Sequence, residues 1–309
     1  MIATVPVLVL VTMAAFMLVT LLPGDAVSAL LAAAEGLDHR VEESLRLQFG
    51  LDRPLAVRYA QWFGRLAVGD LGRSLLSRQP VLDTALARMP VTLILTAGAI
   101  LLSLVIGIPL GLLAGMRPNS RADRFLSAIA ALGVATPSFW LGILLVFVFA
   151  QSLGWLPSFG YRSPFDGGFW LMTQHMLLPW FTLSAARIVE VVRQVRSGTA
   201  EIMTQDFIRT ARAKGLPERT VIWRHALQNV LVPVITVTGL AVGHLLSGAV
   251  VVEVIFLLPG MGTLVVEAVL QRDFPVTQGV VLMGAVATIG ASLLADVLYG
   301  LLDPRVRYD

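Results

Sequence analysis

Apolar residues occur along the chain in long stretches that contain no Asp, Glu, Lys or Arg. Six such stretches are residues 1–24, 89–116, 125–161, 167–186, 225–252 and 274–295. A helix of roughly 20 residues, rising about 1.5 Å per residue, crosses the roughly 30 Å hydrocarbon core of a bilayer. The pattern therefore predicts six transmembrane helices. The first stretch lacks a basic flank and a small-residue cleavage site, so we expect an uncleaved helix and not a signal peptide.

Two apolar segments do not fit a simple spanning helix. Residues 125–161 exceed one crossing, and the glycines and prolines between 154 and 164 predict that the helix ends near Gln151 and continues as an external loop. Residues 254–266 are too few to cross and are interrupted by Pro259. We interpret this second segment as a re-entrant or surface turn.

Arginine counts in the short loops predict the side of the membrane on which each loop lies, because basic residues are retained on the cytoplasmic side during insertion. Residues 117–124 carry three basic residues, residues 193–224 carry seven and the C-terminal tail carries two, whereas the opposite short loops carry only Arg162 and Arg272. Both termini are therefore predicted to be cytoplasmic. The long segment 26–88 then lies outside, since long translocated segments largely escape this rule.

The extracytoplasmic segment 26–88 carries two short amphipathic patterns. The apolar positions at helical spacing are Val41, Leu45 and Phe49 in the first, and Leu55, Tyr59, Trp62 and Leu66 in the second. Gly50 is suited to ending the first helix and Pro54 to beginning the second. Two short helices are therefore predicted to cap the outer face. They either pack only on the ends of the spans or form part of a docking platform for a soluble partner.

Composition agrees with a membrane location for the whole chain. Of the 309 residues, 56% are hydrophobic and 14% are charged, against about 25% charged residues in soluble domains. The mean hydropathy of +0.80 leaves too little polar surface to cover a water-soluble globule. Because the chain contains no cysteine, disulfides, thiolate metal sites and cysteine nucleophiles are excluded.

Several kinds of catalytic or cofactor site lack their defining residues. Lys214, the single lysine, lies between Ala213 and Gly215, so the chain has no phosphate-binding G-x-x-x-x-G-K-[ST] loop. No H-E-x-x-H or G-x-S-x-G motif occurs, and the four histidines are too dispersed for a recognised metal spacing. Ser247 and His244 lie one helical turn apart in the fifth predicted span, which leaves an intramembrane protease as an alternative.

The predicted spans are rich in small residues and poor in ionisable ones. Glu190 and Asp296, both near inner helix ends, are the carboxylates expected closest to a span interior, and this disfavours an ion-driven transporter. Small residues recur at every fourth position in two strips, which are Gly107, Gly111 and Gly115, and Gly239, Gly243 and Ser247. Such strips let helices approach closely. We expect them to serve internal packing, with a share available for a subunit contact.

The cytoplasmic loop 193–224 has the pattern helix, turn, helix. Residues 204–214 form an amphipathic segment with Phe207, Ala211 and Lys214 on one face. Gly215 is suited to ending this helix, and Pro217 is suited to beginning the next. From the residues alone two interpretations are equally good. The short helix either inserts into a groove of another protein or lies on anionic lipid head groups. The cations that would contact lipid are Arg209, Arg212 and Lys214.

Longer motifs decide between these interpretations. Two lie in or beside the cytoplasmic loop, R-T-A-R-A-K-G-L at 209–216 and R-H-A-L-Q-N-V-L-V-P at 224–233. The others are P-G-D at 23–25, G-L-D-R-P-L at 50–55, G-D-L-G-R-S at 69–74, G-W-L-P at 154–157, E-V-I-F-L-L-P-G-M-G at 253–262, R-D-F-P-V at 272–276 and D-P-R at 303–305. In this order they resemble, nearly end to end, the bacterial binding-protein-dependent ABC importer permeases of the dipeptide and oligopeptide permease B family.

The resemblance implies an all-α membrane protein with six transmembrane helices and the type I ABC importer permease fold. It divides the chain into a first transmembrane helix at 1–25, an extracytoplasmic helical segment at 26–88 and a core permease domain at 89–309 with five transmembrane helices and the coupling loop 193–224. The implied partners are a second homologous permease subunit, two ABC ATPase subunits that hold ATP and Mg²⁺, and an extracytoplasmic solute-binding protein. The implied location is the bacterial inner membrane.

The resemblance also assigns a coupling role to a helix in the cytoplasmic loop. The residues expected to couple ATP hydrolysis to solute movement are Asp206, Phe207, Arg209, Thr210, Ala211, Arg212, Ala213, Lys214, Gly215 and Leu216. Gly215 would permit the turn, and Ala211 and Ala213 would allow a partner to approach closely. A peptide cargo is preferred over nickel, opines or glutathione on family frequency alone. An intramembrane enzyme and a membrane scaffold are the alternatives from other classes.

Overall fold

The computed structural model describes residues 4–21, 52–240 and 242–302, and these are mostly helical. The helices are α1 (Thr4–Leu21), α2 (Leu55–Ala67), α3 (Val81–Met116), α4 (Arg121–Ala135), α5 (Ser138–Leu145), α6 (Pro164–Ile202), α7 (Asp206–Ala213), α8 (Glu218–Thr220), α9 (Leu227–Leu240), α10 (Val242–Phe256), α11 (Met261–Leu270) and α12 (Phe274–Leu302). A π-helical segment, Val146–Ser152, continues α5, and another, Val221–Ala226, joins α8 to α9. The first amphipathic pattern of the outer segment, at 41–50, lies outside the described residues.

Three of these helices are long and apolar enough to cross a bilayer, namely α3, α6 and, over Phe274–Leu293, α12. Two bent pairs raise the number of candidate spans to five. Arg121–Gly133 and Ser138–Ser152 meet at 104°, and Pro233–Gly239 and Val242–Phe256 meet at 51°. By length and composition, the described part of the chain therefore contains three to five candidate spans, where the hydrophobic pattern predicts six.

The third predicted span is broken in its first half. Thr136 has an extended backbone, with φ −88° and ψ 121°, and Pro137 precedes the start of α5. Proline disfavours the helical conformation in the residue before it, so the chain bends here although the apolar run continues. The same stretch ends at Ser152, close to the end predicted at Gln151. Hydropathy predicted the length of the apolar run but not this internal break.

The fourth span is longer than its apolar run. The sequence pattern predicts residues 167–186, whereas α6 continues to Ile202 and includes a non-helical backbone conformation at Gly168 (φ 81°). Residues 193–202, which the arginine pattern assigns to the cytoplasmic loop, are therefore helical. Basic residues end a hydrophobic stretch, but arginine is a good helix former and does not end a helix.

The described residues fall into two compact units. The described residues within Met1–Val91 and Pro259–Ala287 form the first unit, and those within Thr92–Leu258 and Thr288–Asp309 form the second. In the second unit, α3, α6 and α9 share a hydrophobic cluster. Its buried members are Leu112, Val191, Val195, Leu227, Val230 and Val234. This cluster joins the helices that precede and follow residues 203–226.

In the first unit, α2 packs against α1 through the residues of the second amphipathic pattern. The hydroxyls of Tyr59 and Thr12 are hydrogen-bonded at 2.9 Å, and the rings of Tyr59 and Phe16 meet edge to face with 5.5 Å between centroids. Trp62 and Leu66 pack on a hydrophobic cluster of this unit. The apolar face of α2 is thus its packed face.

Two motifs of the family resemblance also meet in the first unit. Ser74, which ends G-D-L-G-R-S, donates its hydroxyl hydrogen bond to the carboxylate of Asp273 in R-D-F-P-V, and the Leu75 N–H donates to the same carboxylate at 3.2 Å. Asp273 is buried, and a buried carboxylate needs such donors. These contacts hold the loop before α3 against the connection between α11 and α12.

The segment predicted as a turn at 254–266 is largely helical. Helix α10 continues to Phe256, a tight turn follows with Leu257 at φ 51°, and α11 begins at Met261. Pro259 does interrupt the chain, as predicted. The apolar residues on either side form ordinary helices because they are buried in packed cores, which a length criterion for membrane crossing does not detect.

The first small-residue strip lies where α3 packs against α6. A Cβ added at Gly107 would approach Val191 to 2.6 Å, and one at Gly115 would come within 2.6 Å of the Arg196 carbonyl oxygen. Contacts this short leave no room for any side chain larger than hydrogen. The prediction that this strip serves internal packing is confirmed.

We expect Gly111→Ala to lower the free energy of unfolding by about 1–3 kcal/mol, the usual effect of overpacking. The new Cβ would lie 2.6 Å from the Cβ of Val195 and 2.8 Å from the carbonyl oxygen of Val192. Gly290→Ala is the matched control, because a Cβ there meets nothing within 4 Å. Thermal unfolding of the purified proteins in detergent measures the stability of both variants. Equal melting temperatures for the two variants would contradict the packing assignment.

Candidate functional site

The residues predicted to couple the chain to a partner lie in a hairpin that we call the α7 hairpin, residues 203–226. A short turn leads out of α6, in which the Met203 N–H donates to the Thr199 carbonyl at 3.0 Å and the Gln205 N–H to the Ile202 carbonyl at 3.0 Å. Helix α7 then begins at Asp206, whose carboxylate in the first turn is favourable beside the positive end of the helix dipole.

Gly215 ends α7 in the manner predicted from the sequence. Its φ of 75° lies in the left-handed region, which glycine occupies without a steric cost. The Gly215 N–H donates to the Arg212 carbonyl at 2.9 Å and the Leu216 N–H to the Ala211 carbonyl at 3.3 Å, a Schellman motif. Pro217 follows and precedes α8. The predicted stop and the predicted restart are both confirmed.

One face of α7 is buried against the π-helical segment that leads into α9. The cluster consists of Ile208, Ala211, Val221 and Ala226, with Ile202 and Met203 packed beside it. Ile208 is fully buried, and because it lies three residues before Ala211 the two share one helix face. Val221 and Ala226 are five residues apart, the spacing at which π-helical residues hydrogen-bond. This cluster fixes the orientation of α7.

The sequence pattern grouped Phe207 with Ala211 on one face and did not include Ile208 among the site residues. In the structure Ile208 is buried and Phe207 is 45% exposed. The spacing of three residues between Ile208 and Ala211 is the sequence feature that places Ile208 on the same buried face. Ala211, expected to admit a partner, instead packs inside the hairpin.

Nearly all of the predicted coupling residues are exposed together on the outside of the hairpin. The exposed members are Asp206, Phe207, Arg209, Thr210, Arg212, Ala213, Lys214, Gly215 and Leu216. A continuous exposed surface of this kind, on a helix held by a buried cluster, can be contacted by another protein. Ala211 is the one predicted coupling residue outside this surface, because its side chain is buried.

Ion pairs organise the charges of the hairpin. Arg212 makes a bidentate pair with Glu218, with 2.7 Å between Nη2 and Oε1 and 3.2 Å between Nε and Oε2. This hydrogen bonding lowers the pKa of Glu218 and raises that of Arg212. The pair links the end of α7 to α8 across the turn. Arg209 pairs with Asp206 at 3.2 Å within the helix. Glu218 was not among the residues identified from the sequence.

An ion pair with a buried carboxylate connects the C-terminal part of α6 to the start of α4. Arg196 of α6 binds the carboxylate of Asp123 at the start of α4, with 2.8 Å between Nη2 and Oδ2. The Asn119 N–H donates to the same carboxylate at 2.8 Å. Because the paired residues are 73 positions apart, nothing in the local sequence predicts this contact.

Glu253 is a buried carboxylate that sequence reasoning missed, since only Glu190 and Asp296 were expected near a span interior. It lies in α10 with no exposed surface and accepts a hydrogen bond from the Thr92 hydroxyl of α3 at 2.6 Å. Glu253 directly follows the fifth apolar stretch, and this position at its edge is the signal that identifies it. The hydrogen bond joins two helices of the second unit.

Metal ligation has no support in the part of the chain that the structure describes, where no three His, Asp or Glu side chains group together to hold an ion. The polar side chains near the spans instead pair with one another.

We expect Thr92→Val to destabilise the protein by about 1–3 kcal/mol, because a buried carboxylate loses one hydrogen-bond donor while side-chain volume is kept. Thr92→Ser retains the hydroxyl and serves as the control. Denaturant unfolding in mixed micelles measures both free energies. A valine variant as stable as the serine variant would show that the Thr92–Glu253 hydrogen bond contributes nothing.

The chain matches two family sequence profiles that together span almost its whole length. Residues 107–308 match the family described as binding-protein-dependent transport system inner membrane component. Residues 1–96 match the N-terminal region of a binding-protein-dependent transport system membrane component.

Named relatives match over nearly the full chain. A putative peptide transport system permease protein of Brucella abortus (strain 2308) is 42% identical over 306 residues, covering 99% of this chain and 96% of the relative. The oligopeptide transport system permease protein AppB of Bacillus subtilis (strain 168) is 36% identical over 311 residues, with the same coverage. The glutathione transport system permease protein GsiC of Escherichia coli (strain K12) is 39% identical over 304 residues, covering 98% and 96%.

Solved structures share the fold at low sequence identity. A chain of the inward-facing MetNI methionine ABC transporter superposes with a TM-score of 0.59 at 16% identity, over 72% of this chain and 97% of that one. A chain of an amino acid ABC transporter with histidines gives a TM-score of 0.51 at 16% identity, over 73% and 95%. The predicted family is confirmed: the chain belongs to the binding-protein-dependent transport system inner membrane components and is a transporter subunit, not an enzyme.

Proposed function

We propose that the chain is one permease subunit of an ATP-driven, binding-protein-dependent importer of di- or oligopeptides. The main support is full-length similarity to two permeases named for peptide or oligopeptide transport, at 42% and 36% identity. The relative named for glutathione handles a peptide-derived cargo, which agrees with this substrate class. Selectivity in such a system rests largely on the extracytoplasmic binding protein that delivers the solute.

The complete importer would contain a second homologous permease and two ATPase subunits in addition to that binding protein. ATP and Mg²⁺ would bind to the ATPases, since this chain lacks a phosphate-binding loop. In the membrane, the 18-residue helix α1 would supply the sixth crossing beside the five candidate spans. Both termini would be cytoplasmic, as the arginine distribution favours, and α2 would lie on the outer face.

The α7 hairpin would be the element that transmits ATPase movement to the spans. The exposed residues of its 206–216 segment would enter a groove of one ATPase, with Phe207 as an apolar contact and Arg209 and Lys214 as polar ones. Ile208 and Ala211 would anchor the helix on the side away from the partner, because they pack on Val221. A push on α7 therefore acts on a packed core and not on a loose loop.

From this core the movement has a continuous route into the membrane. The π-helical segment that holds Val221 leads directly into α9, and Leu227 and Val230 of α9 pack on Val191 and Val195 of α6. Displacement of the hairpin would shift α6 and α9 together and so favour inward or outward opening, an interface rearrangement of the hinge and shear type.

Gly215→Asp should abolish ATPase association or coupling while the protein remains inserted. A Cβ at Gly215 meets nothing within 4 Å, but φ is 75°, so the change strains the turn and adds a negative charge at the proposed contact. We expect at least about tenfold lower solute-stimulated ATP hydrolysis in the reconstituted importer, the size of effect that 1.4 kcal/mol of lost coupling energy produces.

Gly154→Asp is the matched control, since Gly154 has φ 64° with open space and lies in the predicted outer loop. It should retain coupling. Normal transport by Gly215→Asp, or equal loss in both variants, would refute the coupling assignment.

The cargo is tested separately. The importer would be purified with its binding protein, and the retained solute identified by mass spectrometry. Short peptides are the expected result, because the peptide-named relatives span the whole chain. A nickel ion or an opine in the binding protein would contradict the peptide assignment and leave the coupling hypothesis intact.

A further inference from the structure

A shallow hollow lies on the π-helical segment between α8 and α9. Its volume is about 370 Å³, and Arg219, Thr220, Trp223 and Arg224 line it. The buried residues of the segment, Val221 and Ala226, belong to the hydrophobic cluster under α7. Residues 219 and 223, and residues 220 and 224, are each four apart, so their side chains lie close together along the helix. The hollow thus has two guanidinium groups, one hydroxyl and one indole at its rim.

The charges at this hollow differ from those of α7. Arg209 and Arg212 are engaged by Asp206 and Glu218. Over the stretch of chain that the structure covers, neither Arg219 nor Arg224 has a carboxylate within ion-pairing distance. Two unpaired guanidiniums around one hollow attract an anion, and phosphate groups are bound well by the planar arginine fork.

Trp223 indicates where this anion comes from. Its side chain is 58% exposed, although indole is largely apolar. It lies four residues, about one turn, before Leu227, where the helix continues into apolar α9. Tryptophan and arginine at the end of a membrane helix are typical of the bilayer interface, where the indole lies at head-group level. A soluble anion would not require this exposed aromatic ring.

We propose that the hollow binds the head group of an anionic phospholipid. Arg219 and Arg224 would donate hydrogen bonds to the lipid phosphate, Thr220 would donate one from its hydroxyl, and the Trp223 indole would pack against the glycerol and upper acyl chain. Of the cations first considered for lipid contact, Arg209 and Arg212 are engaged by Asp206 and Glu218, and Lys214 does not line the hollow. The proposal rests on membrane insertion and is independent of the cargo.

The test uses the full chain in its assembled importer, reconstituted in phosphatidylcholine nanodiscs with increasing phosphatidylglycerol. Trp223 fluorescence is obtained as the difference between the protein and its Trp223→Phe variant. Brominated phosphatidylglycerol should quench this signal at a mole fraction at least about tenfold lower than brominated phosphatidylcholine does, because each arginine near the surface contributes roughly 1 kcal/mol toward an anionic lipid.

The double variant Arg219→Gln/Arg224→Gln should lose this preference, and Arg219→Lys/Arg224→Lys should keep most of it. Arg121→Gln/Arg124→Gln, an equal charge change at the start of α4, is the matched control and should behave like the unchanged protein. Equal quenching by both lipids would overturn the proposal. Absence of quenching by either lipid, with Trp223 shielded only when the ATPases are bound, would assign the hollow to a protein partner and equally overturn it.

Discussion

Close contact between α3 and α6 is the interaction on which the rest of the second unit depends. In lipid, helices gain little from hydrophobic burial against one another and associate through tight packing of small residues. Gly107, Gly111 and Gly115 give α3 a face without side chains, and α6 fills it with Val191, Val195 and its own backbone. Because α6 continues without a break from residue 169 to residue 202, this part at about 1.5 Å per residue is more than one and a half times as long as the hydrocarbon core is thick. The helix anchored in this contact therefore continues beyond the bilayer to the α7 hairpin.

Local contacts within the hairpin complement this anchor. A Schellman turn at Gly215, a bidentate Arg212–Glu218 pair and the buried Ile208 each restrict a different part of it. The hairpin is thus suited to transmit a displacement, whereas a flexible loop would absorb one. Its exposed surface also carries the aromatic side chains of Phe207 and Trp223, and exposed residues of this kind can contact a partner or a lipid.

Each of three buried carboxylates has a polar partner from another part of the chain. Asp123 binds Arg196, Glu253 binds Thr92, and Asp273 binds Ser74. An unpartnered carboxylate in such a setting would cost several kcal/mol, so each pair also fixes which helices or loops are neighbours. Several family motifs contain one member of such a pair, which explains structurally why those residue types occur there.

The sequence by itself predicted the apolar stretches, the end of α7 at Gly215 and the start of the next helix after Pro217. These features depend on residues that are close together in the chain. The order of the motifs along the chain identified the family, because each motif is a short run of consecutive residues. Tertiary structure alone decided that Arg196 binds Asp123 and that Glu253 is buried against Thr92. These outcomes depend on which helices pack together, and a contact between residues 73 or 161 positions apart leaves no periodic signal in the chain.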